Sequence, residues 1–443
     1  MKKALLLFLL LSIFVSGCTP AAEEGLQSSS DSEVAVSVDT SDLSSGESRN
    51  RFVLGQDYQF HFNFVVPSNL VESESHYYFI LPDGYSFLRS KNKISGEVIP
   101  VCNKVDCLHD READLDRRKA CNASLGGVLP GTFQYYDGRL YVLYEGVDSF
   151  TSNIQKRVVR EFQTDGSGYN DILELDGKLT SRMVMHRGYL FIPATDYMLP
   201  LEDYEDEQLE SMSYYLECYD LADLRKGASR ILDVSGEWGQ MNSMFAYDDY
   251  LYVMVSGRSR EYGIEKAISR GLIYDMKTGE LKTLPMISGG VQFALGESIY
   301  YFPRTAEDNV SVRDMYAKSP QAVVADLAGN PTDTIDISYS PWLYGFGEYL
   351  ISDNFLGLLF DEVPQEEGRR LTCYTPEGEW LGEISAFEES ASEASMAAVV
   401  GINDEYIFFI DRGEKSRYAL WTFRLADLGK PDLKAEIFCE FMT

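Results

Sequence analysis

The sequence predicts an all-β fold in which one antiparallel unit is repeated around a ring. The first observation is a turn followed by a run of aliphatic and aromatic residues, which are strong strand formers. The apolar residue two positions after each turn is Leu140, Leu190, Leu251, Ile299, Leu350 and Ile407. The second observation is their spacing of 50, 61, 48, 51 and 57 residues, which is typical of a β-propeller with lengthened loops. The third observation is that the chain shows little sustained helical periodicity.

Each predicted blade contains four antiparallel strands, because a second apolar hairpin follows each of these strands. These hairpins lie at residues 160–173, 215–233, 271–285, 322–336, 370–384 and 420–438. A weaker copy at residues 74–80 supplies one more blade, so that seven blades are expected, with six or eight as alternatives. Neighbouring blades must stack and close a ring to bury both faces of each sheet. Two stretches of helical character, 208–216 and 387–399, are expected to be insertions between blades.

The chain begins with features of an export signal. Lys2 and Lys3 precede an apolar run at residues 4–15 that is too short for a confident membrane span. Residues 15–18, Val-Ser-Gly-Cys, resemble the lipobox of bacterial lipoproteins, in which the cysteine is linked to diacylglycerol. We therefore expect a signal peptide at residues 1–17 and lipidation of Cys18, the alternative being an ordinary signal peptide with an incidental cysteine.

The remainder divides into a tether and one folded domain. Residues 18–50 are rich in Ser, Asp, Glu and Ala and poor in aromatic residues, so that they are predicted to be a disordered tether behind the lipid anchor. Residues 51–443 contain nearly all the aromatic residues and are predicted to form the propeller. The formal net charge of −31 repels phosphate backbones, which argues against nucleic acid as a partner.

Four potential metal ligands lie within twenty residues of sequence: Cys102, Cys107, His109 and Cys121. Three thiolates and one imidazole match the ligands of a tetrahedral structural zinc or iron site. The spacing differs from that of the common zinc fingers and ribbons. A disulfide between two of the three cysteines is the competing interpretation, because exported proteins meet oxidising conditions. Either arrangement would fasten a long connection between the first two blades.

The other cysteines are interpreted as core residues. Cys218 and Cys373 are expected at equivalent places on an outer strand of their blades, and Cys439 near the ring closure. The segment 165–168, Asp-Gly-Ser-Gly, is expected to be a hairpin turn rather than a calcium loop, because it lacks the spaced acidic ligands of such a loop.

The folded region resembles a group of propeller lipoproteins from anaerobic Gram-positive bacteria. The resemblance rests on the lipobox at Cys18, the repeated Asp-Gly-x-Leu-Tyr type of strand, and the segment 101–123 that contains the clustered cysteines. It implies a propeller anchored by lipid to the bacterial cell membrane and facing the extracellular side. It implies no particular activity, because none is established for that group.

No catalytic residues are predicted. The sequence contains no nucleotide-binding or hydrolase motif, and its many carboxylates single out no pair for glycoside chemistry. We therefore expect a non-catalytic binding or interaction platform whose ligand is a protein, a cell-wall peptide or a glycan. The alternative is an extracytoplasmic hydrolase or lyase acting on carbohydrate. Apart from the possible structural zinc, no cofactor is predicted.

Overall fold

The structure is a computed structural model in which the chain forms a seven-bladed β-propeller of four-stranded antiparallel blades, as the sequence predicts. It describes residues 36–37, 52–53, 56–57, 70–80, 87–125, 130–147, 154–175, 178–180, 182–196, 214–234, 238–259, 266–303, 321–337, 343–346, 349–353, 371–384, 398–403, 405–412, 417–428, 430 and 435–442. Among these residues, none of the helices is long and apolar enough to cross a bilayer.

The first two blades are each formed by consecutive strands, and one further strand precedes them. Strand β1 (Val36–Ser37) pairs with the edge of blade 3. Blade 1 contains β2 to β5, which are Leu70–Glu72, His76–Ile80, Leu88–Asn92 and Val98–Pro100. Blade 2 contains β6 to β9, which are Pro130–Tyr136, Arg139–Val147, Ile154–Gln163 and Tyr169–Glu174.

Blades 3 to 5 depart from four simple strands in two places. In blade 3 the inner strand is divided into β10 and β11, which both pair with β12. The strands of this blade, β10 to β14, are Lys178–Leu179, Val184–His186, Tyr189–Asp196, Tyr214–Asp220 and Ser229–Val234. Blades 4 and 5 share one long strand, β18, among β15 to β21, which are Trp238–Tyr247, Tyr250–Ser259, Lys266–Asp275, Leu281–Leu295, Ser298–Pro303, Gln321–Asp326 and Pro331–Asp336.

The last two blades again use consecutive strands. Blade 6 contains β22 to β25, which are Leu343–Phe346, Tyr349–Asp353, Leu371–Tyr374 and Trp380–Ile384. Blade 7 contains β26 to β29, which are Ala398–Ile402, Tyr406–Arg412, Arg417–Arg424 and Glu436–Met442. Among the described residues no strand passes between blade 7 and blade 1, so that side chains close the ring.

The repeated apolar residue lies at the same place in six blades. It is the second residue of the second strand, and its side chain is fully buried in every case, at Leu140, Leu190, Leu251, Ile299, Leu350 and Ile407. The second strand lies between two hydrogen-bonded neighbours, and the adjoining blades cover its faces, so that apolar side chains are favoured there. Cys218 and Cys373 pair with Phe191 and Ile351, the next residues of the second strands, which confirms that they are equivalent core positions. Cys439 is also buried.

The two expected helical insertions are wrong at the ends that the structure describes. Residues 214–216 lie in strand β13, and residues 398–399 lie in strand β26, while residues 387–397 lie outside the described residues. All five interior residues of β13 are buried, so that the alternating pattern that usually identifies a strand is missing. Residues 208–213 lie outside the described residues. Val36 and Ser37, within the predicted tether, form β1, and the rest of that tether up to residue 50 lies outside the described residues.

The start of the folded domain contacts the turns of blades 3 and 4. The buried Asp57 carboxylate accepts hydrogen bonds from the backbone N–H of Val53 at 2.7 Å and of Arg187, in the β11–β12 turn, at 2.6 Å. Phe52 packs against Tyr247 with ring centroids 4.9 Å apart, and against His186 at 5.8 Å. Phe52 and Asp57 therefore lie on the face of the propeller that carries these turns.

Candidate metal centre

The four potential metal ligands lie on the connection between blades 1 and 2. This connection runs from the end of β5 to the start of β6, and its described residues include a 3-10 turn (His109–Arg111) and a short helix, α1 (Leu115–Lys119). Its described part is residues 101–125. We refer to Cys102, Cys107, His109 and Cys121 together as the Cys/His cluster.

The donor atoms of the Cys/His cluster all lie within 4.8 Å of one another. In a tetrahedral zinc site with Zn–S bonds of about 2.3 Å, sulfur atoms are separated by roughly 3.8 Å. His109 presents its Nδ1 atom to the cluster, 3.5 Å from the sulfur of Cys121. The three cysteines are free thiols in the structure. The structure thus brings together the four side chains that the sequence indicates as possible metal ligands.

Local backbone structure places each ligand. His109 begins the 3-10 turn with a φ angle of 55°, in the left-handed region that residues other than glycine rarely adopt. The side chain of Asp114 caps helix α1 by accepting hydrogen bonds from the N–H groups of Asp116 and Arg117. The N–H of Cys121 then donates to the carbonyl of Arg118 at 3.1 Å, so that the last ligand directly follows the helix.

The thiols have different proton affinities. Burial raises the pKa of Cys102, but hydrogen bonds from the backbone N–H groups of Lys104 and Asn122 and from the thiols of Cys121 and Cys107 together bring this pKa below its ordinary value. Burial raises the pKa of Cys121 well above its ordinary value, and the neighbouring thiols Cys107 and Cys102 raise it further. A cation among the three sulfurs would favour ionisation of all of them. The donor set and its hydrogen bonds thus fit a metal ion that prefers thiolate and imidazole.

The Cys/His cluster is sheltered on one side only. Cys121 packs with Phe87 and Ala123 in a small apolar group that Cys102 and Cys107 also contact. On the other side the connection is open to solvent, and the Val105 side chain is 97% exposed. The cluster therefore lies at the outer rim of the propeller.

Blade 2 holds both ends of the Cys/His cluster through one carbonyl oxygen. The oxygen of Gly166 accepts a hydrogen bond from the N–H of Asn103 at 3.1 Å and from the buried side-chain amide of Asn122 at 2.8 Å. Asn103 follows Cys102, and Asn122 follows Cys121. Gly166 has a φ angle of 75°, and a Cβ atom there would lie 2.7 Å from the backbone nitrogen of Cys102. Only glycine fits this close approach.

Gly166 and Asn122 are the residues of this site that the sequence interpretation missed. The predicted hairpin turn at residues 165–168 is confirmed, but its contact with the Cys/His cluster was not expected. The cluster itself carried a signal, since an Asn directly follows each of its outer cysteines. Cys18 and its predicted lipidation lie outside the described residues.

The three buried carboxylates among the described residues, Asp57, Glu112 and Glu217, accept hydrogen bonds from different partners. Asp57 accepts hydrogen bonds from Val53 and Arg187, as described above. Glu112 accepts from the N–H of Asp114, and Glu217 accepts from the hydroxyl of Tyr219 at 2.6 Å. The three carboxylates thus lie on three separate segments of the chain, and each has its own hydrogen-bond partner.

Comparisons with known proteins support the fold and no particular activity. A scan of protein-family models and a search of curated proteins each found no match. A structure from a study of two prolyl endopeptidases has a TM-score of 0.50 and 12% identity, with 85% of this chain and 50% of that chain covered. For the acylaminoacyl peptidase of Pyrococcus horikoshii the TM-score is 0.48 and the identity 10%, with 84% and 51% covered. For the β-propeller domain of the Trilobed protease from Pyrococcus furiosus the values are 0.43 and 10%, with 84% and 93% covered.

The chain spans about half the length of the first two of these structures. At 12% identity the likeness to the structure from the prolyl endopeptidase study shows a shared fold alone. The activities of those peptidases are therefore not transferred to this chain.

Proposed function

We propose that the Cys/His cluster binds one zinc ion, which fastens the connection between blades 1 and 2. The observation that carries this proposal is the convergence of three sulfur atoms and one imidazole nitrogen within 4.8 Å. Four protein ligands complete the tetrahedral shell of zinc and leave no position for water or substrate. The ion would therefore stabilise the fold and would not act in catalysis.

The zinc proposal is tested by replacing the metal with cobalt. The full-length chain is purified in detergent, depleted of metal and titrated with Co²⁺. Three thiolates and one imidazole around Co²⁺ give intense visible absorption, typical of tetrahedral geometry, at one equivalent. Zinc should then abolish the absorption stoichiometrically. Failure to bind one equivalent of either ion would contradict the proposal.

The propeller as a whole is proposed to be a non-catalytic binding platform, anchored by lipid at Cys18 to the outer face of the bacterial cell membrane. The lipobox and the resemblance to propeller lipoproteins support this location. Binding is proposed over glycoside hydrolysis because the many carboxylates of the sequence single out no pair for that chemistry. The proposed ligand is a protein, a cell-wall peptide or a glycan.

Two measurements test this assignment. Cys18→Ala should move the protein from the membrane fraction to the soluble fraction, whereas the control Cys439→Ala, which changes a buried core thiol, should stay with the membrane. The purified protein should bind purified cell-wall fragments in calorimetry without changing their mass. Shortened fragments would instead favour the carbohydrate hydrolase or lyase.

A further inference from the structure

We infer that metal binding at the Cys/His cluster stabilises the closure of the ring, on the opposite side of blade 1 from the cluster. This inference rests on the proposed zinc site and adds a role to it. The physical link is strand β4, because the start of this strand contacts the metal-bearing connection and its later residue Lys91 contacts blade 7. The metal would thus stabilise a seam that supplies none of its ligands.

On one side, backbone hydrogen bonds join β4 to the connection that carries the Cys/His cluster. The N–H of Leu88 donates to the carbonyl of Ala123, two residues after Cys121, at 2.9 Å. The N–H of Val101, next to Cys102, donates to the carbonyl of Leu88 at 2.9 Å. Both ends of the cluster are therefore fixed to one residue of β4. A metal that holds those ends together limits the movement of β4.

The same connection is fixed to blade 2 through the carbonyl of Gly166. At two other junctions, a turn glycine approaches apolar side chains of the preceding blade instead. A Cβ on Gly329 would lie 2.5 Å from the side chain of Ile273 in blade 4, and one on Gly378 would lie 3.1 Å from Ile335 in blade 5. The outer strand of blade 1 has only three residues, and Ile99 there is half exposed. Between blades 1 and 2, the Cys/His cluster therefore supplies the contact that apolar side chains supply at those two junctions.

On the other side of blade 1, side chains alone close the ring against blade 7. The ammonium group of Lys91 donates to the carbonyl of Phe438 at 2.7 Å and lies 3.8 Å from the centroid of its ring. The amide of Asn403 donates to Glu72 at 3.2 Å and to the hydroxyl of Tyr77 at 3.5 Å. No backbone ladder among the described residues supports this seam. Lys91 is the member of this seam that lies on β4, so that its share of the seam's strength depends on how firmly β4 is held.

Two sites that bias one common element are coupled, and the coupling acts in both directions. Metal binding should favour the closed seam, and a weakened seam should lower metal affinity. The test measures hydrogen–deuterium exchange of the full-length chain in detergent, with zinc and after chelation. Chelation should speed exchange about tenfold or more in β4 and in β29, which contains Phe438, and leave β16 and β17 of blade 4 unchanged.

A matched pair of variants separates the coupling from backbone strain. Gly166 and Gly138 lie in two turns of blade 2, with φ angles of 75° and 76°, but a Cβ on Gly138 would meet nothing within 4 Å. Gly166→Ala should weaken zinc binding about 10- to 100-fold and should speed exchange in β4 and β29 even when zinc is present. Gly138→Ala, which carries the same backbone strain, should retain the zinc affinity and the exchange pattern of the wild type. If Gly166→Ala does not fold, Asn122→Ala takes its place, with Asn103→Ala as its control.

The outcomes distinguish the two proposals. If the chain binds zinc but chelation speeds exchange only within residues 101–125, the coupling is wrong and the zinc site stands. Equal acceleration in all blades would also overturn the coupling, because it would indicate global destabilisation. A chain that binds no zinc would overturn both proposals.

Discussion

The side-chain amide of Asn122 donates a hydrogen bond to the carbonyl oxygen of Gly166 at 2.8 Å, and this buried contact joins residues 44 positions apart. It connects the segment that carries Cys121 to a turn of blade 2. The same oxygen accepts the N–H of Asn103, so that one carbonyl holds both ends of the Cys/His cluster.

Replacement of Asn122 should weaken this connection. Asn122→Ala removes a buried hydrogen bond and should lower the free energy of unfolding by about 1 kcal/mol. Zinc affinity should fall about tenfold, because the segment that carries Cys121 loses its support. Asn103→Ala is the matched control, since Asn103 reaches Gly166 through its backbone N–H and its side chain is exposed. Equal effects of the two variants in urea unfolding would contradict the assigned role.

Loss of a proposed ligand should abolish zinc-dependent stabilisation. At a zinc concentration 100 times the dissociation constant, a site present only in the folded state adds about 2.7 kcal/mol. Cys121→Ser should lose this increment and bind no stoichiometric zinc. Cys373→Ser changes a buried cysteine outside the cluster and should keep the increment, although its starting stability falls. Thermal unfolding with and without zinc measures both variants, and a zinc response retained in Cys121→Ser would count against the site.

The seam between blades 1 and 7 should depend on Lys91. Lys91→Met removes the hydrogen bond to Phe438 and the contact between the ammonium group and its ring, and should cost about 1–2 kcal/mol. Lys282→Met is the control, because Lys282 donates an exposed hydrogen bond to Asn330 at 2.6 Å outside this seam, and its loss should cost less than about 1 kcal/mol. Chemical denaturation compares the two, and equal losses would show that Lys91 has no special role in ring closure.

Acid should destabilise the protein partly through His186. Burial lowers the pKa of His186 below its ordinary value of 6.5, although the nearby Asp57 raises it in part. Below pH 6.5 the unfolded chain therefore binds a proton that the folded chain does not, and stability falls as the pH falls. His186→Gln should lack this contribution. As the pH falls below 6.5, the wild type should therefore lose stability relative to the variant by at most about 1.4 kcal/mol per pH unit. Urea unfolding between pH 5 and 8 in excess zinc tests this, and parallel curves would contradict it.

The blade repeat was predictable because one position in each blade has the same surroundings. Leu140 and Leu350, for example, are both fully buried on second strands that other blades cover, so that the sequence must place an aliphatic side chain there. The pairing of Cys218 and Cys373 with equivalent residues follows from the same repetition. The Cys/His cluster was predictable because its three cysteines and one histidine lie close together in the sequence, on one connection.

Contacts between distant segments were not predictable in the same way. The turn that contains Gly166 has the residues of an ordinary hairpin, and nothing local shows that its carbonyl faces Asn122. The contact of Asp57 with Arg187 likewise joins segments 130 residues apart. The start of strand β13 is predicted as helix because both faces of the strand are buried, and the sequence therefore lacks the alternation of apolar and polar residues that identifies a strand.

The central claim is that the Cys/His cluster binds zinc, and mass spectrometry tests it most directly. The full-length chain, purified once with and once without oxygen, is measured under native and then denaturing conditions. Zinc bound by the cluster predicts a native mass higher by about 63 Da, which is zinc less the two protons it displaces, and this excess should disappear on unfolding and in Cys121→Ser. A mass lower by about 2 Da that is restored by reduction would instead show a disulfide and contradict the account.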